Sequence, residues 1–251
     1  MTDFLNAAVD AAREAGALLR ANFGGSLNVS SVEAHDIKLE LDVRSQELIT
    51  RSLLARFPGH AIYGEEGIAG SRTSEFQWIV DPIDGTVNYF YNIPHFCVSI
   101  ALREVNELLL GVIYDPMRDE LWTAERNAPP ALNGKPFATS PRTKLSDAIV
   151  SVGFSKSRST IESGLPLFEK MILRVRKCRA MGSAALDMAY VACGRLDAYI
   201  EQSVSLWDIA AGKILVESAG GRVQMNERPD AKDKYSIVAS SGRIDLNQVS
   251  T

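Results

Sequence analysis

The sequence predicts a layered α+β fold, and three features carry that expectation. Helical periods open the chain, apolar strands joined by tight turns fill its middle, and helical periods return around one strand in its second half. The 251 residues suffice for a large core. A single domain over 1–251 is expected, built from halves of about 1–140 and 145–251.

Leu5, Ala8, Val9, Ala12, Ala15, Gly16 and Leu19 recur at helical spacing, with Thr2 or Asp3 as the cap. A polar loop is expected through about residue 35. A second helix runs from near Asp42 to Phe57 with Val43, Leu48, Ile49, Leu53 and Leu54 inward, and Pro58-Gly59 stops it. Ala61-Ile62-Tyr63 reads as a short strand with Gly64-Glu65-Glu66-Gly67 as its polar exit. Trp78-Ile79-Val80 reads as the next strand, followed by strands at 96–102, 108–114 and 120–123. Asn106-Glu107 and the segment 116–119 supply turns between them, so the sheet is at least partly antiparallel. Asn133-Gly134 marks another tight turn. A strand at 148–152, a polar loop at 155–159, a helix near 165–176 and a short strand at 178–180 follow. Helices at 184–193 and 208–219 flank the strand Ala198-Tyr199-Ile200, and Asp208 reads as a helix cap.

The net charge of −4 argues against a general nucleic-acid or acidic-membrane surface. Cys97, Cys178 and Cys193 are odd in number and lack C-x-x-C spacing, so they read as reduced structural thiols of a cytoplasmic protein. Asp3, Asp10, Arg13 and Glu14 interrupt the apolar residues near the N-terminus, unlike a signal peptide. No apolar run approaches the roughly 20 residues that span a bilayer.

The chemistry concentrates in Asp81-Pro82-Ile83-Asp84-Gly85-Thr86. Pro82 presets φ and Gly85 lets the backbone approach a ligand, so Asp81 and Asp84 can face one point with the Ile83 carbonyl between them. Hard divalent cations such as magnesium want that all-oxygen set. Glu65, Glu66 and Asp208 also sit at element ends. Like charges about 4 Å apart cost on the order of 4 kcal/mol at an effective dielectric of about 20, so a converging cluster needs separation, protons or metal. No motif positions His35, His60 or His95 as a base for Thr86.

Gly64-Glu65-Glu66, the run from Trp78 to Thr86, and Trp207-Asp208-Ile209-Ala210-Ala211 resemble the three signatures of the inositol monophosphatase family. Gly182-Ser183-Ala184-Ala185, Asp197-Ala198-Tyr199-Ile200-Glu201 and Gly220-Gly221 match as well, so the resemblance covers nearly the whole chain. It implies a five-layered αβαβα sandwich of the inositol monophosphatase and fructose-1,6-bisphosphatase type. It also implies lithium-sensitive phosphomonoester hydrolysis with two or three magnesium ions, in a homodimer acting on a small phosphate monoester. By this match Glu65, Asp81 and the Ile83 carbonyl hold the first metal, and Asp81, Asp84 and Asp208 the second. Glu65 also helps hold a third, and Glu66 stands beside the site. Thr86 orients the attacking water with Asp42 as its acidic partner, so no phosphoenzyme is expected. The amides of Gly85 and Thr86, if they open a helix, would cradle the phosphate oxygens.

One segment departs from the family pattern of a lysine followed by Asp-x-x-Thr-x-x-Asp. Here Asp36-Ile37-Lys38-Leu39-Glu40-Leu41-Asp42 places Leu39 at the threonine and Ser31 at the lysine, and Lys38 can supply the missing charge. The alternation of Ile37, Leu39 and Leu41 suits a strand. Gly182, Ser183, Ala184 and Glu201 match positions that contact sugar-ring hydroxyls, and Asp84 and Asp208 can share such contacts. An acidic group pairs well with vicinal hydroxyls, which favours a polyol over a nucleotide. Ser155, Lys156 and Arg158 form either a solvated loop or a contact to the leaving group. The leading expectation is a magnesium-dependent inositol-1-phosphatase. Fructose-1,6-bisphosphatase, histidinol-phosphatase and 3′-phosphoadenosine nucleotide phosphatase reuse the same site, and a regulatory binding module is the rival from another class.

Overall fold

The computed structural model describes residues 2–33, 36–154, 157–229, 231 and 233–246. In chain order its elements are α1 (Asp3–Asn22), β1 (Val29–Glu33), β2 (Asp36–Leu39), α2 (Glu40–Arg56), β3 (Ala61–Gly64), β4 (Gly67–Gly70), β5 (Phe76–Asp84) and α3 (Thr86–Phe90). Next come β6 (Cys97–Glu104), β7 (Glu107–Asp115), β8 (Glu120–Glu125), β9 (Ala131–Leu132), β10 (Lys135–Pro136) and β11 (Ile149–Val152). The chain continues through α4 (Arg158–Ile172), β12 (Lys177–Arg179), α5 (Ala184–Ala192), β13 (Ala198–Ser205), α6 (Leu206–Ser218), β14 (Arg222–Glu227) and β15 (Lys234–Ser240).

An eight-stranded sheet runs β10-β9-β8-β7-β6-β5-β3-β4, and a five-stranded sheet runs β12-β11-β13-β15-β14. Helices α1 and α2 pack together on the outer face of the large sheet, and α5 and α6 fill the space between the sheets. On the far side of the small sheet α4 packs against β12 and β13. The expected αβαβα layering is therefore present. Leu5, Ala8, Ala12 and Leu19 of α1 meet Trp78, Ile100 and Val112 in the outer core. Ile79, Trp122, Tyr199 and Leu215 meet in the core between the sheets.

Several boundaries differ from the sequence reading. Strand β1 lies inside the expected loop; it is exposed and pairs only with β2, so burial imposes no apolar alternation on it. Helix α2 begins at Glu40 rather than Asp42, and Val43 is exposed while Ser45 and Gln46 are buried. Those polar side chains face protein backbone: Ser45 Oγ donates to the Pro82 carbonyl, and Gln46 Oε1 accepts from Glu66 N at 2.9 Å. Strand β4 was not anticipated, and β5 continues through Asp84 with a register shift between Asp81 and Asp84. Helix α4 covers Arg158–Ile172, not 165–176, because Ser157 caps it by accepting from Thr160 N and Pro166 lies in its interior. Strand β13 extends to Ser205, and the edge strand β14 with its partner β15 had no legible period. His35, Ser155 and Lys156 lie outside the described residues.

Candidate active site

Helix starts and strand ends aim the acidic residues. Asp42 is the third residue of α2, and its Oδ2 accepts from the Leu39 amide at 2.7 Å. Asp208 stands in the same position in α6, where its Oδ2 accepts from Ser205 N at 2.9 Å. Ser205 is thus the cap, and Asp208 closes the reciprocal box instead of capping the helix as expected. In both cases one carboxylate oxygen is tied to the turn.

Asp84 is held from across the molecule. Its Oδ2 accepts from Ser183 Oγ and from Ala185 N at 2.8 Å, and its Oδ1 accepts from Ala184 N at 3.2 Å. The positive end of α5 therefore faces a carboxylate. Buried Cys97 also donates its thiol to Asp84 Oδ2 at 3.7 Å. Asp81, 1% exposed, accepts from Ile83 N at 3.0 Å. Carboxylate oxygens of Asp81, Asp84 and Asp208 all lie within 4.8 Å of one another.

That proximity shows in their proton affinities. Burial, followed by the charges of Glu65, Asp84 and Asp208, pushes Asp81 well above the usual carboxylate range. Burial raises Asp84 to about 6 against the pull of the Ser183, Ala185 and Ala184 bonds. Asp42 rises to about 7, through burial and the charges of Glu65 and Glu66, against the Leu39 and Thr86 bonds.

Glu65 is half-buried in the turn between β3 and β4, within electrostatic reach of Asp42, Asp81 and Asp84 but outside the tight trio. Glu66 Oε1 pairs with Lys38 Nζ at 3.3 Å, so the charge expected from Lys38 is in place. The Thr86 hydroxyl donates to the Ile83 carbonyl at 2.9 Å and lies 3.4 Å from Asp42 Oδ1. Gly85 caps α3 in the left-handed conformation at φ 96°, where a Cβ would press on the His95 carbonyl at 3.0 Å. Only glycine meets both constraints. Gly182 is left-handed too, and its carbonyl faces Gly85.

Glu201 stands at the far side, half-buried, and accepts at Oε2 from the Tyr199 hydroxyl. Burial lifts it to about 7, with the Tyr199 bond opposing and the charges of Asp208 and Asp84 adding to the rise. Ser183 is 2% exposed and its hydroxyl is engaged with Asp84. Arg158 lies in the first turn of α4, paired with Glu162. His60 is stacked between Phe57 and Phe76, and His95 is buried beside Tyr190.

Sequence reasoning missed several supporting residues. Asn88 ties α3 to the loop before α5 by donating to Met181 O and His95 O, both at 2.9 Å. Lys234 Nζ donates to Ser205 Oγ at 2.6 Å, bracing the cap that orients Asp208. Buried Asp187 on α5 accepts from Ser151 Oγ at 2.7 Å. Each acts through a contact distant in sequence; only the Ser205-x-x-Asp208 spacing was legible as a capping box.

Comparison with known proteins agrees with this geometry. The model described as "Inositol monophosphatase family" matches residues 1–249. The chain is 40% identical over 223 residues to "Nus factor SuhB" of Xylella fastidiosa, covering 87% of this chain and 80% of that one. It is 38% identical over 242 residues to "Inositol-1-monophosphatase" of Mesorhizobium japonicum, covering 94% and 91%. The crystal structure of extragenic suppressor protein suhB from Bartonella henselae superposes with a TM-score of 0.89 at 33% identity, over 96% of this chain and 95% of that one. No described helix is long and apolar enough to cross a membrane. Full-length sequence likeness, the shared layers and the converged aspartates together place the chain in the inositol monophosphatase family.

Proposed function

We propose that the chain is a magnesium-dependent phosphomonoesterase whose substrate is myo-inositol 1-phosphate, hydrolysed by direct attack of water. The observation that carries this reading is the convergence of Asp81, Asp84 and Asp208 within 4.8 Å. Carboxylates packed this closely at low exposure demand protons or cations, and an all-oxygen donor set of that charge fits a hard divalent ion. In this reading Glu65, Asp81, the Ile83 carbonyl, Asp84 and Asp208 hold two or three ions. Bound magnesium supplies Lewis acidity toward the phosphoryl group and lowers the pKa of a water.

The remaining groups position and move protons. A Thr86 hydroxyl that donates to Asp42 offers its lone pair to a proton of the attacking water, so Asp42 acts as base through Thr86. The 3.4 Å separation from Asp42 Oδ1 supports that path once the hydroxyl leaves the Ile83 carbonyl. Glu66, paired with Lys38, balances charge beside the site. The amides of Gly85 and Thr86 receive phosphate oxygens at the start of α3. Glu201, with the backbone at Gly182, Ser183 and Ala184, receives the hydroxyls of the alcohol; Asp84 and Asp208 share in those contacts. Relatives named "Nus factor SuhB" favour a second reading, in which the same fold also serves as a regulatory binding module.

Phosphate release from inositol 1-phosphate, fructose 1,6-bisphosphate, histidinol phosphate and a 3′-phosphoadenosine nucleotide tests the assignment. Fastest turnover of inositol phosphate with magnesium, loss of turnover in chelator and inhibition by calcium are expected. Full activity in excess chelator overturns the metal reading. Preference for another substrate reassigns the alcohol, and no release from any of them favours the binding module.

A further inference from the structure

Strand β13 directs Tyr199 and Glu201 to one face, as residues two apart must. The Tyr199 ring is 1% exposed in the core between the sheets, so its hydroxyl is a fixed point. That hydroxyl donates to Glu201 Oε2, which leaves Oε1 as the oxygen available to a ligand. Behind the same carboxylate lies Gly153, which follows β11 and donates its amide to Ile200 O at 2.9 Å. A Cβ on Gly153 would stand 1.9 Å from Glu201 Oε2 and 3.0 Å from the Tyr199 hydroxyl. Gly153 is not in the left-handed region, so its backbone does not demand glycine; the Glu201 carboxylate does. Glu201 pairs with Ile237 of β15 as the last regular position before the register shift that precedes Val204, so its backbone is held by the ladder as its carboxylate is held by Tyr199.

We propose that Tyr199 and Gly153 are positioning residues that lock the Glu201 carboxylate in place as the acceptor for a substrate hydroxyl, and so set selectivity for polyol phosphates. The inference rests on the reading of Glu201 as a contact to the alcohol. A glutamate on its flexible stem loses rotamer freedom when it takes a ligand, and a carboxylate already pinned by a buried phenol has lost it beforehand. Glycine supplies the room and tyrosine the tether. Neither residue touches the substrate.

The test compares kcat/KM for inositol 1-phosphate with that for a small aryl phosphate, which offers no hydroxyl to Glu201. Tyr199→Phe keeps the buried ring and removes only the tether. It should lower the polyol-to-aryl ratio about tenfold, roughly 1.4 kcal/mol, through KM rather than kcat. Gly153→Ala should do the same, because its Cβ meets the movable end of a side chain rather than backbone. Adding Tyr199→Phe to Glu201→Ala should cost little more than Glu201→Ala alone. An unchanged ratio in Tyr199→Phe, equal losses on both substrates, or additive losses in the double variant would overturn the positioning role. A ratio unmoved by Glu201→Ala would overturn the assignment of Glu201 itself, and the inference with it.

Discussion

Asp115 ends β7 and Asp81 lies near the end of β5, two strands that flank β6 in one sheet, yet their surroundings are opposite. Both are enclosed, at 0% and 1% exposure. Asp115 accepts from Met117 N at 2.9 Å, Arg118 N at 3.0 Å and the Arg118 guanidinium at 2.7 Å. Asp81 accepts from Ile83 N, and the charges pressing on it are those of Glu65, Asp84 and Asp208. A buried carboxylate matched with donors and a cation from its own chain closes a turn. A buried carboxylate packed among carboxylates leaves a charge that the chain does not balance. The two aspartates are similar in burial and differ in what they lack.

Paired substitutions break or sharpen that comparison, and they carry the largest expected effect. Asp81→Asn should abolish measurable turnover at saturating magnesium while leaving the metal-free protein as stable as the parent or more so, since it removes repulsion. Asp115→Asn should do the reverse, retaining turnover and costing about 2 kcal/mol through lost charge-assisted bonds. Thermal denaturation in chelator and phosphate release with magnesium read the two effects separately. If Asp81→Asn destabilises the metal-free protein as much as Asp115→Asn does, Asp81 is a structural group and the distinction fails.

The contrast also explains what the sequence reveals. Asp81 and Asp84 were legible because their spacing around Pro82 and Gly85 suits an all-oxygen cation site, whereas Asp208 reads by itself as a helix cap and joins them only through the family resemblance. The helix Asp3–Asn22 was legible because its one buried face writes a period into the sequence, and strands β6 and β7 because both faces are buried over most of their length, which leaves apolar runs bounded by turns. Strands β1 and β4 have no such face, and their pairing leaves no periodic trace. Helix α4 was misplaced because Pro166 suits the opening of a helix, while the Ser157 cap lies nine positions earlier by their numbers. The grip of Ser183 on Asp84 spans 99 positions, so local pattern could not disclose it. Residues that hold the site are therefore less legible than those that form it.

A smaller effect is expected at the proton path. Thr86→Ser keeps the hydroxyl and should keep substantial activity, whereas Thr86→Ala should lower kcat by about 10²-fold, the low end for acid–base positioning, with little change in KM. Asp42→Asn should fall in the same range. The double variant Asp42→Asn/Thr86→Ala should cost little beyond either single change, as for groups acting as one unit. Fully multiplicative losses, or a stable phosphothreonine at Thr86, would contradict water attack through this pair.

The last effect concerns stability rather than rate, and its sign follows from the same unbalanced charge. Burial and the charges of Glu65 and Glu66 raise Asp42 from 3.8 in the unfolded chain to about 7 in the fold. Between those values the folded protein binds more protons at this site than the unfolded chain, so the Asp42 contribution to stability falls as pH rises. Below the lower value both states are protonated, and above the higher value both are ionised, so the contribution is level on either side. Asp42→Asn has no proton to lose. In chelator, the melting temperature of this variant relative to the parent should therefore climb between about pH 4 and pH 7 and then level off. Magnesium, whose positive charge would offset that of the neighbouring carboxylates and favour ionised Asp42, should end the climb at lower pH. Circular-dichroism melts of parent and variant across that range measure the difference directly. A difference that falls with rising pH would mean that Asp42 is stabilised as an anion by the protein alone, and it would move Asp42 from the side of Asp81 to the side of Asp115.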